Sequence, residues 1–147
     1  MKHIWTILCQ NSSRDSNTNL LSIFNCLEEI ILKIDISKTL KKDEFSLPIS
    51  MQLVSLWSIN NQNKDNTLDI SVEMLDPDGK LLNTFTKKFD VKSGFKRFRS
   101  ILNIQRIKIT RAGRYIIRMK QKQVGEKDFN VVEELPLDIK VVSTEKL

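Results

Sequence analysis

The sequence predicts an all-β protein: a single antiparallel β-sandwich of seven or eight strands. Three observations carry this. Apolar and polar residues alternate at period two over most of the chain, turn signals separate the alternating runs, and only one segment carries helical spacing. The 147 residues suit one domain spanning 1–147, and with 40% apolar and 29% charged residues the chain can build a real core.

The opening residues 1–9 form a strand ending at Cys9, and the polar stretch 11–19 reads as a hairpin loop. Residues 20–34 are ambiguous. Leu20, Phe24, Leu27, Ile31 and Ile34 recur at helical spacing, yet Ile23, Phe24, Ile30, Ile31, Ile34 and Ile36 are residue types that favour strands. The segment is read as strand, broken by one helical turn near residues 25–29. From Phe45 the odd positions Leu47, Ile49, Met51, Leu53 and Trp57 form one apolar face, with Pro48 requiring an edge, a bulge or a strand start. Leu68, Ile70, Val72 and Met74 continue the pattern to the turn Asp76-Pro77-Asp78-Gly79, after which Leu81, Phe85, Phe89 and Val91 return along one face. Past Ser93-Gly94, a strand over residues 101–109 turns Ile107 and Ile109 one way and Arg106 and Lys108 the other. Ala112-Gly113 follows, and Tyr115, Ile117 and Met119 then oppose Arg114, Arg118 and Lys120, with the Tyr115 hydroxyl reaching backbone at the rim. A last strand points Leu135, Leu137, Ile139 and Val141 inward.

A hairpin register that pairs Gln10 with Leu20 sets Cys9 opposite Leu21 and Cys26 near Ile4. The thiols are then about 16 Å apart, too far for a disulfide, and two buried free cysteines are expected.

Several of these features occur together in one family. The Cys closing the first strand, Asn19-Leu20-Leu21-Ser22-Ile23-Phe24-Asn25, the alternating strand from Phe45, Asp76-Pro77-Asp78-Gly79, Ala112-Gly113-Arg114-Tyr115 and Leu135-Pro136-Leu137 resemble a group of small prokaryotic proteins known only as a domain of unknown function. The resemblance implies an immunoglobulin-like or C2-like β-sandwich and carries no catalytic residues with it. The chain departs from that group at Gln10, where an acidic residue is usual, and in a longer basic segment.

Charge is the least random feature. Residues 87–122 hold thirteen bases against the single acid Asp90, a net +12, while the rest of the chain nets −6. If the strands of residues 101–122 pair as a hairpin, Arg106, Lys108, Arg114, Arg118, Lys120 and Lys122 share one solvent face, extended by Lys96, Arg97 and Arg99 in the preceding loop. These nine residues are the candidate site for an anionic partner. One reading has Glu133, Glu134 and Asp138, with Glu126 and Asp128, neutralise the bases; a second covers them with an acidic protein partner or a second copy. A third docks nucleic-acid phosphates there, with Phe95 and Phe98 as stacking surfaces.

Catalysis finds little support. His3, the only imidazole, reads as an edge-strand side chain, and the serines of residues 12–16 lack an activating base. No nucleophile elbow, phosphate loop or dinucleotide fingerprint occurs, and Asp76 and Asp78 are explained by their turn without calcium. With no apolar run near 18 residues and no secretory leader pattern, the expectation is a cytoplasmic, noncatalytic binding or scaffold module that uses no cofactor, metal or small-molecule substrate.

Overall fold

The computed structural model describes residues 1–34 and 45–143. The described residues form nine strands and no helix: β1 (Lys2–Arg14), β2 (Leu21–Cys26), β3 (Glu29–Ile34), β4 (Phe45–Ser58), β5 (Asn66–Leu75), β6 (Leu81–Val91), β7 (Arg97–Ile109), β8 (Gly113–Gln123) and β9 (Asn130–Ser143). They build a four-stranded sheet ordered β2-β1-β4-β7 and a five-stranded sheet ordered β3-β9-β8-β5-β6. That is one strand more than expected at the least. The pairing is antiparallel throughout except β3, which runs parallel to β9. The difference arises at residues 27–28, where the chain leaves one sheet and enters the other. Glu28 carbonyl accepts from the Asp138 amide at 3.0 Å, starting β3 beside a strand that already points the same way.

Residues 21–34 are thus two strands, and no helical turn separates them. Asn25 adopts φ 53 and bends the chain where a turn of helix was expected. The helical spacing has no common face behind it: Leu20, Phe24 and Ile31 are exposed, whereas Leu27 and Ile30 pack against the core where the chain passes from one sheet to the other. β-branched crowding then favours the extended form.

The inner faces meet through Leu53, Trp57, Leu102, Ile107 and Ile109 on one side and Leu68, Ile70, Tyr115, Ile117, Leu137 and Ile139 on the other, all at most 2% exposed. Each such side chain contributes about 1.5–3 kcal/mol when fully removed from water. Leu81 and Val141, expected inside, are exposed, because they stand at strand ends beyond the core. Polar atoms that enter the core are matched: the Trp57 indole N–H donates to Ser100 Oγ at 2.9 Å.

Turn chemistry follows the sequence closely. Asp76 Oδ1 accepts from the amides of Asp78 (2.9 Å) and Lys80 (2.8 Å), and Gly79 takes φ +82. Pro48, which lies on a central strand, sits where the β4–β7 register shifts, so its missing amide falls at a bulge. The Tyr115 hydroxyl donates to the Arg111 carbonyl at 2.7 Å and accepts from the amides of Thr110 (3.0 Å) and Arg111 (3.1 Å). It fastens the corner by which the chain passes from β7 to β8.

Candidate binding face

That corner separates the expected basic face. β7 lies at the edge of the four-stranded sheet and β8 in the middle of the five-stranded one, so the two do not form a hairpin. Arg106 and Lys108 accordingly stand on one outer face of the molecule, and Arg114, Arg118, Lys120 and Lys122 on the other. Residues 110–112 are as short as a hairpin turn, but here they bridge two sheets.

On the five-stranded sheet the bases meet carboxylates across the strands. Arg114 Nε lies 2.7 Å from Asp138 Oδ1 and its Nη2 2.8 Å from Oδ2, a bidentate pair. Arg118 Nε lies 2.7 Å from Glu134 and Nη1 3.6 Å from Glu73, while Lys120 also reaches Glu73. The hydrogen bond that Arg114 donates to Asp138 raises the guanidinium pKa above its ordinary value and in turn lowers that of the Asp138 carboxyl. Lys122 stands 4.9 Å from the Phe129 ring centroid, and Lys140 pairs with Glu29 at 2.7 Å. Neutralisation by Glu134 and Asp138 was foreseen. Glu73, which takes two cations, was not, because it comes from β5, a neighbour that only the strand order reveals.

The four-stranded sheet has the opposite character. Its strands contain Lys2, Arg14, Arg97, Arg99, Arg106 and Lys108 and no Asp or Glu. Among the described residues no carboxylate pairs with Arg14, Arg97, Arg99 or Arg106. Along its outer face run Trp5, Leu56 and Arg99 in one row and Ile7, Val54 and Ile101 in the next, with Cys9, Gln52 and Asn103 beyond.

Part of this face is covered by the chain itself. Past Cys9, β1 and β2 continue as a two-stranded arm closed by residues 15–20, where Asp15 Oδ1 accepts from the amides of Asn17 (2.8 Å) and Thr18 (2.7 Å). Ser12 Oγ donates to Gln52 Oε1 at 2.6 Å, and Arg99 Nη1 donates to the Asn19 carbonyl at 2.8 Å. A straight arm would project its tip away from Arg99. The two contacts mean that it folds back across β4 to β7, and Val54 and Cys9, both on the outer side, are left with 0% exposure. The outward side of the arm presents Leu20 (66% exposed) and Phe24 (49%). Exposed aliphatic and aromatic side chains are thereby set among the bases of this sheet, with Asp15 of the arm's own turn beside Leu20.

Other expected residues fall elsewhere. Phe98 is no loop aromatic: it lies within β7 and packs on Phe89 at 5.3 Å between ring centroids. Phe95 does stay exposed in the loop beside Lys96 and Arg97. His3 lies on the stretch of β1 that β2 does not reach, with β4 as its ladder partner on one side, but its side chain turns inward. Its ring stands 5.0 Å from Trp57, edge to face, and Nε2 lies 2.7 Å from Thr6 Oγ1, which lies 2.8 Å from Ser55 Oγ. Burial pushes the His3 pKa down. Thr6 and Ser55 are buried, so the inner end of this hydrogen-bond chain is enclosed in the sandwich, while His3 itself is half-buried. Asp78 pairs with Arg111 at 2.6 Å, joining the β5–β6 turn to the β7–β8 corner.

An apolar hollow of about 180 Å³ between the sheets opens between β6 and β7 and is lined by Met51, Val72, Met74, Phe85, Ile104 and Ile117, with Arg106 among its polar neighbours. No helix among the described residues is long and apolar enough to cross a membrane. No protein-family model and no curated protein matches the chain.

Proposed function

We propose that the chain is a noncatalytic binding module, acting in the cytoplasm, whose four-stranded sheet and folded-back arm dock an acidic protein surface. One observation carries the reading: the four strands of that sheet hold Lys and Arg but no Asp or Glu, whereas the five-stranded sheet balances its charges internally. Arg14, Arg97, Arg99 and Arg106, which pair with no carboxylate among the described residues, repel one another until something negative covers them. Leu20 and Phe24 supply the apolar centre that protein interfaces use, and the surrounding arginines supply a rim suited to carboxylates. A second copy would bring two cationic faces together, which disfavours self-association through this surface.

The immunoglobulin-like variant of the sandwich is the finer fold reading. In its support, β9-β8-β5-β6 follows the order of strands G, F, C and C′, β4 pairs with β7 as B pairs with E, and Tyr115 makes the tyrosine corner at the start of F. β1, antiparallel to β4, stands where A stands beside B, and β2 is then an addition to that plan. These traits also fit the uncharacterised prokaryotic sandwich family that the sequence resembles.

A photo-cross-linking residue at Leu20, compared with one at Thr84 on the five-stranded sheet, tests the proposal in the source cells. The expected product is one acidic polypeptide captured from Leu20 alone. Titrated with purified protein, its affinity should fall at least about tenfold in R14E/R97E/R106E while the melting temperature holds. Capture from both positions, or affinity indifferent to the triple substitution, overturns the reading.

Exposed Phe95 beside Lys96 and Arg97 favours a second reading, sequence-tolerant nucleic-acid binding. It requires a labelled single-stranded oligonucleotide to bind with log affinity falling against log salt at a slope of about −3, for some four phosphates. No shift at low salt removes it.

A further inference from the structure

Cys9 and Cys26 stand directly opposite each other across β1 and β2. The expected register was wrong by five residues, because Asn11, Ser12, Ser13 and Arg14 extend β1 where a loop was read, and Arg14 pairs with Leu21. Nor are both thiols buried: Cys9 is, but Cys26 is exposed, and neither is bridged.

The kind of pair follows from one hydrogen bond. The Leu27 amide donates to the Leu8 carbonyl at 2.8 Å, so residues 8 and 27 form a hydrogen-bonded pair in the same register. The next pair along an antiparallel ladder, Cys9 with Cys26, is then a non-hydrogen-bonded one. At such positions the Cα atoms approach to about 4.5 Å and the side chains share a face. Disulfides span Cα separations of about 4.4–6.8 Å. Burial, and then the neighbouring Cys26, push the Cys9 thiol up, so Cys9 rests protonated while Cys26 faces solvent.

We propose that Cys26 and Cys9 form a thiol–disulfide exchange site, in which Cys26 reacts with low-molecular-weight disulfides of the glutathione type and Cys9 resolves the adduct into a cross-strand disulfide. The Cys26 thiolate attacks one sulfur of glutathione disulfide, the oxidant's S–S bond breaks, and one glutathione thiolate leaves. Cys9 then gives its proton to water, attacks the Cys26 sulfur and expels the second glutathione. Two protein thiols are oxidised by two electrons, and one glutathione disulfide is reduced to two thiols that take up the released protons. The product ties together the base of the arm, closing residues 10–25 into a covalent loop.

Treating the purified protein with glutathione disulfide tests this, read by intact mass and by maleimide labelling under denaturing conditions. The wild type should pass through a transient glutathione adduct to a monomer two hydrogens lighter that takes up no maleimide. C9S should stop at a stable adduct on Cys26, and C26S should react at least about tenfold more slowly. Should C9S fail to fold, the rise and fall of the adduct in the wild type reads the same step. A stable adduct on the wild type, a disulfide-linked dimer on a non-reducing gel, or two thiols that stay free overturns the proposal.

Discussion

At Gly113 the space for a side chain is already taken: a Cβ there would meet Pro77 Cγ at 2.8 Å, and φ is +144. Gly113→Ala is therefore expected to lower stability by about 1–3 kcal/mol, read as a shift in urea midpoint. Tyr115→Phe should cost a similar amount, about 1–3 kcal/mol, since the Thr110 and Arg111 amides and the Arg111 carbonyl lose the hydroxyl that serves them all. His3 gives a pH dependence of definite sign. Its folded-state pKa lies below the unfolded value because burial disfavours the cation. The unfolded chain thus binds the extra proton, and the stability is fully present above about pH 6.5 and lost as the pH falls through the folded value. Urea midpoints should decline from pH 7 toward pH 5 in the wild type and decline less in His3→Gln. Tyr115 and the Asp76 turn were legible because each acts within five residues of itself. His3 was not, since the Trp57 ring and the Ser55 hydroxyl that complete its surroundings come from a strand some fifty residues away.

Alternation tells which way a side chain points from its own strand but not which sheet holds the strand. The basic residues of β7 and β8 were read correctly as outward, yet outward from two sheets is two opposite directions. The arm was missed for a different reason. Asn11, Ser12 and Ser13 have weak strand preference and read as a loop, and their pairing with Phe24, Ile23 and Ser22 rests on contacts the alternation of either run does not announce. The charge ladder of the five-stranded sheet makes a graded prediction. Glu134→Ala removes an exposed partner and should cost less than about 1 kcal/mol. Glu73→Ala leaves two half-buried cations, Lys120 and Arg118, without it and should cost about 1–3 kcal/mol, measured by the same denaturant titration. If the two variants are equally stable, the ladder is decoration on a sheet held by its core.

The two sheets share a single apolar interior to which every strand but β2 contributes, so thermal unfolding is expected as one cooperative transition, the same by near- and far-ultraviolet circular dichroism. Four ladders, β1–β4, β4–β7, β5–β8 and β3–β9, join strands that do not follow one another in sequence, which places refolding in the millisecond-to-second range typical of sandwiches. The parallel contact of β3 with β9 sets an order of events during synthesis. β3 leaves the ribosome roughly a hundred residues ahead of its only sheet neighbour, and β8 emerges with one ladder still open. Until the last fourteen-residue strand is released, the nascent chain exposes two unpaired edges at once. A stop codon just before Asn130 would make that passing state permanent, and such a truncated chain should be found with chaperones or in inclusion bodies.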